Sequence, residues 1–189
     1  MIEAQRIQVK LFFSDGKTAP ARDFVALFHR FIQTRALAGT LIDVTDYSHV
    51  EGGPGVGLIA HEANWFTDGE AGRPGLLYSR KREAPGTFLE RLVTAAHATL
   101  IAARLIEQAN LGVTVDGSEL LVRLNDRLLA PNDPATFASS RPEFAALGAR
   151  LWAGSPTETT YLAGDPRQLF SVRLRSPGAA DLATLLARL

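Results

Sequence analysis

The stretch that decides the fold runs from residue 41 to residue 82 and reads LIDVTDYSHV, EGGPG, VGLIAHEANWFT, DGEAGRPG, LLYSRKR. Three β-prone segments, Leu41 to Val50, Val56 to Thr67 and Leu76 to Arg82, alternate with two connections made of turn formers. Glu51-Gly52-Gly53-Pro54-Gly55 supplies the first connection and Asp68 to Gly75 the second. The stretch therefore reads as a three-stranded antiparallel meander.

The flanks add helices to that sheet. Upstream, Ile7, Val9 and Leu11 alternate with Gln8, Lys10 and Phe12 in a strand that ends at Ser14-Asp15-Gly16. A helix follows, with Thr18 as its cap, Pro20 in its first turn and Gly39 closing it. Phe24, Leu27, Phe28 and Phe31 recur there at i, i+3, i+4 and i+7 and need a sheet or a helix to cover them. Downstream, the longest helix spans about Thr87 to Gln108 and ends at Asn110 to Gly112. Val113 to Val115 and Glu119 to Leu124 read as a hairpin about Asp116-Gly117.

Asn132-Asp133-Pro134 signals a helix start, and Ser140-Arg141-Pro142-Glu143 reads as a capping box opening a second helix that carries Phe144, Leu147, Leu151 and Trp152. Strands over Thr159 to Leu162 and Leu169 to Arg175 follow, then a terminal helix presenting Leu182, Leu185, Leu186 and Leu189. Hairpins and helices mix without clean βαβ alternation. The expectation is one α+β domain over residues 1–189, with a mainly antiparallel sheet and helices packed on one face.

Composition narrows the function. The chain has 189 residues, ample for one core without disulfides or a structural metal. Lys+Arg and Asp+Glu balance at 20 each, so no global field draws phosphate backbones or anionic lipid, and no nucleic-acid or membrane partner is expected. The absence of cysteine excludes disulfides, thiol catalysis and Cys-ligated metals. Met1 to Arg6 lacks the apolar run of a signal peptide, and no stretch approaches the ~20 apolar residues of a membrane span. A cytoplasmic protein is expected.

Polar chemistry concentrates in the central stretch. A turn centred near Gly53 would set Thr45 opposite His61, with Asp43 and Tyr47 on the same face. In that register His61 acts as a general acid or base oriented by Asp43, with His49 near the turn as a ligand contact. A variant gathers His49, His61 and a carboxylate around a metal. The opposing reading is a flat, hydrogen-bonded polar face, with Glu62 on the far side forming a cross-strand ion pair with Arg80. Asn125 and Arg127, after a later strand, either line a cleft rim or hold a turn.

Other motifs subtract rather than add. His61-Glu62 is no zincin start, because Trp65 stands where the second His belongs. Gly55-Val56-Gly57-Leu58-Ile59-Ala60 fits G-x-G-x-x-A but follows Pro54 and continues into β-like residues. No Walker loop or G-x-S-x-G elbow occurs. His29 and His97 lie inside helices without a partner at ligand spacing, and Arg73, Arg80, Lys81 and Arg82 read as a solvated strand end. No cofactor and no resident metal are called for.

The run from Ile42 to Glu62, with Gly75 to Lys81 and Leu124 to Asn132, resembles a group of similarly sized bacterial proteins without an assigned activity. The resemblance implies a bacterial protein and supplies no catalytic residue. The sequence thus leads to two expectations. One is a non-enzymatic protein that self-associates, as a homodimer, or binds a protein partner through an open sheet face or the Leu-rich terminal helix. The other is a small-ligand binder or acid–base enzyme using Asp43, Tyr47, His49, His61 and Glu62, with Arg80, Asn125 and Arg127 nearby.

Overall fold

The strand predicted first, Ile7–Phe13 (β1), lies inside the sheet, with Gly75–Arg80 (β5) on one side and Val115–Leu124 (β6) on the other. The computed structural model describes residues 2–178 and 180–189, so Met1 and Ala179 lie outside the described residues. The remaining strands are Leu41–Asp46 (β2), Val56–Ala60 (β3), Ala63–Asp68 (β4), Glu158–Tyr161 (β7) and Phe170–Arg175 (β8). All eight join one antiparallel sheet in the order β2-β3-β4-β5-β1-β6-β8-β7. The helices are Ala21–Thr34 (α1), Phe88–Gln108 (α2), Pro134–Leu151 (α3) and Leu182–Ala187 (α4).

Strand alternation assigns one face of the sheet to the helices. Val9, Tyr78, Trp65 and Leu58 align across β1, β5, β4 and β3, and Val122 and Val172 extend the row across β6 and β8. These residues share a single core with Phe24, Phe28 and Phe31 of α1, Leu92, Ala96 and Leu100 of α2, and Phe144 and Leu147 of α3. The α+β class with helices on one face is what the structure shows.

The central meander has four strands, which corrects the three predicted. A single strand over Val56 to Thr67 would point Leu58 and Ala60 to one face and Ala63 and Trp65 to the other. A two-residue turn at His61-Glu62 resets the alternation, and all four of those apolar residues become buried. The His61 N–H donates to the Thr40 carbonyl at 2.9 Å, and the Ala60 N–H to Asn64 Oδ1 at 3.3 Å.

Other boundaries also move. The hairpin expected about Asp116-Gly117 is a bulge within the continuous β6, because Asp116 Oδ1 accepts from the Ser118 N–H and satisfies the turn locally. Gly117 permits close packing there: a Cβ would lie 2.0 Å from the Ala180 carbonyl oxygen, and its own carbonyl accepts from Trp152 Nε1 at 2.7 Å. The two helices expected around Pro142 are one, α3. Ser140 donates to the Thr136 carbonyl inside that helix rather than capping a new one. Proline costs α3 one N–H, but the stripe of Phe144, Leu147 and Leu151 continues into the core and holds the helix together.

Helix α1 has Pro20, not Thr18, at its N-cap position and ends at Arg35 in the left-handed region, four residues before Gly39. In α4, Leu182 and Leu185 are buried and Leu186 and Leu189 pack against the same core, so the terminal helix is not a free apolar face. Among the described residues, no helix is long and apolar enough to cross a membrane.

The helix-free face is closed differently. The connection from β4 to β5 folds across β1 and reaches β6. Asp68 pairs with Lys10 at 2.5 Å, Glu70 pairs with Arg123, and Arg73 makes a two-point contact with Glu119 at 2.8 and 3.1 Å. Arg73 also lies 3.7 Å from the Phe12 ring centre, and Arg175 adds a second guanidinium on Glu119 at 3.1 Å. Arg73 is therefore separate from Arg80, Lys81 and Arg82, contrary to its grouping in sequence. Lys10 is 1% exposed, and burial holds its ammonium below the ordinary lysine range despite the Asp68 hydrogen bond.

Two outcomes follow for stability. Asp68→Asn leaves the Lys10 ammonium buried without its counter-charge and should lower unfolding free energy by roughly 3–5 kcal/mol, whereas Lys10→Met with Asp68→Leu should recover most of that loss. Denaturant titration of the three proteins reads both effects. The helix caps contribute to the acid limb. Backbone N–H donation from Thr87, Thr136 and Thr184 holds the carboxyls of Glu90, Asp133 and Asp181 below their ordinary values of 4.5, 3.8 and 3.8. Their folded pKa values are depressed, so their stabilisation is complete above the unfolded values and is lost as pH falls through the folded ones. Thermal melts should therefore fall steeply below about pH 4, and Asp133→Asn with Asp181→Asn, which still cap, should flatten that limb.

Candidate functional site

The turn at His61-Glu62 places Glu62 across from the middle of α2. The cleft between them encloses about 320 Å³. Strands β4 and β5 supply Trp65, Tyr78 and Arg80, helix α2 supplies Thr94, His97, Ala98 and Ile101, and the segment before β2 supplies Leu37 and Gly39. A capping box starts α2, in which the Thr87 hydroxyl accepts from the Glu90 N–H and the Glu90 carboxylate accepts from the Thr87 N–H. Thr94, His97, Ala98 and Ile101 then share one helical stripe, spaced by three and four residues.

The floor is apolar. Trp65 and Tyr78 pack edge to face with ring centres 5.4 Å apart, and Trp65 Nε1 donates to the Ala98 carbonyl at 3.4 Å. Polar groups stand at the rim. Arg80 donates through Nε to the Arg82 carbonyl at 3.0 Å, and through its terminal nitrogens to the Glu83 carbonyl at 3.2 Å and the Tyr78 hydroxyl at 3.4 Å. These contacts fix the guanidinium plane. Burial pushes the Tyr78 hydroxyl up, against the opposing pull of Arg80, so it stays protonated and can donate at neutral pH.

Glu62 is fixed from two directions. Its Oε1 lies 3.2 Å from His61 Nδ1, and that hydrogen bond is the first cause holding its carboxyl below the ordinary 4.5. Its Oε2 occupies space that a side chain at residue 39 would need, since a Cβ on Gly39 would come within 2.7 Å. Gly39 also has φ of +91°, so glycine is required there for backbone shape and for room. Its role is at the cleft and not at the end of α1.

The predicted constellation does not assemble as expected. Thr45 pairs with Gly57, Asp43 with Ile59 and Asp46 with Val56, so His61 lies beyond the paired region rather than opposite Thr45. Asp43 is exposed, and its Oδ1 accepts from the Val44 N–H. Tyr47 and His49 are exposed in the connection at the other end of β3, about 17 Å away for five extended residues. His49 and His61 therefore cannot share a ligand, and Asp43 does not orient His61. Among the described residues, no three His, Asp or Glu side chains gather as a metal cage requires.

Glu62 and Arg80 do meet at one cleft, but not as the expected ion pair, because Glu62 bonds to His61 and Arg80 to Tyr78 and two carbonyls. Asn125 and Arg127 line a separate cleft of about 800 Å³ with Gln5, Lys81 and Glu83. His97, Tyr78 and Trp65 are not among the site residues expected from sequence, where His97 reads as a helix histidine without a partner at ligand spacing. The stripe from Thr94 to Ile101 carried the signal for His97, while the break in apolar alternation at His61-Glu62 carried that for Trp65.

The His61–Glu62 contact is open to a direct check. His61→Ala removes the leading cause of the low Glu62 pKa, so carbon-detected NMR titration should show that carboxyl moving up towards 4.5. An unchanged titration would mean that the pair does not persist in solution.

Comparison of the chain with protein-family models, with curated proteins and with solved structures returned no match, so the geometry of these side chains is what speaks for the site.

Proposed function

We propose that the protein binds a small amphipathic ligand, without transforming it, in the cleft between the His61-Glu62 turn and α2. The observation that carries this reading is the convergence of Glu62, Arg80, Tyr78 and His97 above an apolar floor of Trp65, Ala98 and Ile101. A cleft of about 320 Å³ with few polar groups is what a small-molecule site presents. One fixed carboxylate and one fixed guanidinium at the same rim suit a polar head that both donates and accepts, such as a zwitterion or an amide. The apolar remainder of the ligand would lie on Trp65. A bacterial cytoplasm is the setting we propose for this role.

Self-association, as a homodimer or with a protein partner, is the second reading and rests on another observation. Ile42, Tyr47 and Val50 are exposed along the free edge strand β2 and the turn after it. A bulge at Ile42 and the charges of Asp43 and Asp46 oppose continuation of the sheet into a second copy. Contact through side chains is thus the form that this reading takes.

Native mass spectrometry of the purified protein separates the two. Ligand binding predicts retained mass on the monomer, and Ile101→Trp, which fills the cleft from α2, should remove that mass while leaving the fold intact. A ligand-free dimer that Tyr47→Asp dissociates would replace the first reading by the second.

A further inference from the structure

We infer that a second site, on the helix-free face at the far side of β1, binds the phosphate group of a small phosphorylated molecule. Arg123 near the end of β6, Arg127 in the following loop and Arg167 in the β7–β8 connection line one cleft of about 460 Å³. Ser171 lies directly across from Arg123 in the β6–β8 ladder and adds a hydroxyl to the same wall, and Gln168 adds an amide. Three arginines thus line this cleft with a single carboxylate, Glu70, in a chain whose charges balance overall.

The arrangement is built rather than accidental. The loop carrying Arg167 is pinned at Asp165, whose carbonyl accepts from Asn132 Nδ2 at 3.0 Å and from the Gln168 N–H at 2.8 Å. The Asp165 carboxylate accepts from the Arg167 N–H at 2.8 Å, so it turns to its own backbone. Tyr161 holds the other end of that brace, donating to Asn132 Oδ1 at 3.0 Å. Among the described residues, Arg123–Glu70 is the only ion pair within the cleft. Arg173, two residues beyond Ser171 on the same face of β8, keeps a buried Nε without a partner among the described residues.

Like charges lining one cleft are disfavoured unless an anion joins them, and planar guanidiniums match phosphate oxygens in two-point contacts. Glu70 pairs with Arg123, and an entering phosphate takes its place there. The site is distinct from the Glu62–Arg80 cleft, which lies on the helix-covered face.

Calorimetric titration of the full chain tests this with inorganic pyrophosphate and with a sugar phosphate as probes. Both should bind saturably at one site, more weakly as salt rises. If free pyrophosphate alone is the physiological ligand, it should bind and the sugar phosphate should not. Arg127→Ala with Arg167→Ala, both exposed positions, should weaken binding at least tenfold. Glu70→Gln frees Arg123 and should tighten it severalfold. Arg30→Ala on α1 and Ile101→Trp in the other cleft should leave it unchanged. Absence of saturable binding to either probe, or an affinity indifferent to loss of Arg127 and Arg167, would overturn the inference.

Discussion

Lys10 Nζ lies on the central strand of the sheet, withdrawn from solvent and 2.5 Å from Asp68 Oδ2. A lone ammonium in that position would be too costly to keep charged, so the β4–β5 connection must bring a carboxylate to it. Once Asp68 is there, the rest of the connection lies across β1. Glu70 then reaches Arg123, and Arg73 reaches Glu119 over the face of Phe12. The helix-free face is therefore covered by a charged lattice with Leu77 and Leu121 beneath it, rather than left as an apolar surface.

That lattice divides the molecule by chemistry. On the helix side, Phe88, Phe144 and Phe170 pack closely, the buried hydroxyls of Thr99 and Ser140 bond to carbonyls of their own helices, and charged groups gather at the rim where α2 leaves a gap beside the His61-Glu62 turn. On the other side, arginines outnumber acids where the lattice thins out towards Arg127 and Arg167. Each cleft takes its character from the face to which it belongs: one is apolar with a balanced rim, the other cationic.

The terminal helix is likewise absorbed by the core. An amphipathic terminal helix reads as a free surface only until its partner is known. Here α2 and β6 receive Leu182 and Leu185, and the apolar stripe is consumed within the chain. The edge strand β2 pairs with β3 alone, but the Val44 N–H is taken up by Asp43, and the strand carries a bulge and two aspartates, the ordinary means by which an edge avoids another edge.

Local signals determined much of this by themselves. The alternation of β1 and β8, the Phe stripe of α1, the length of α2 and the antiparallel class are all readable because each depends on neighbours in sequence. The four-stranded meander is legible too, in the apolar parity that changes between Ala60 and Ala63. Tertiary structure alone decided the register of β2 on β3, since a slip of a few residues costs nothing locally and yet separates Asp43 from His61. It also decided which carboxylate meets which base. Lys10 and Asp68 are 58 residues apart, and Arg73 and Glu119 are 46 apart. No periodicity links such positions; only the folding of one loop across the sheet brings them together.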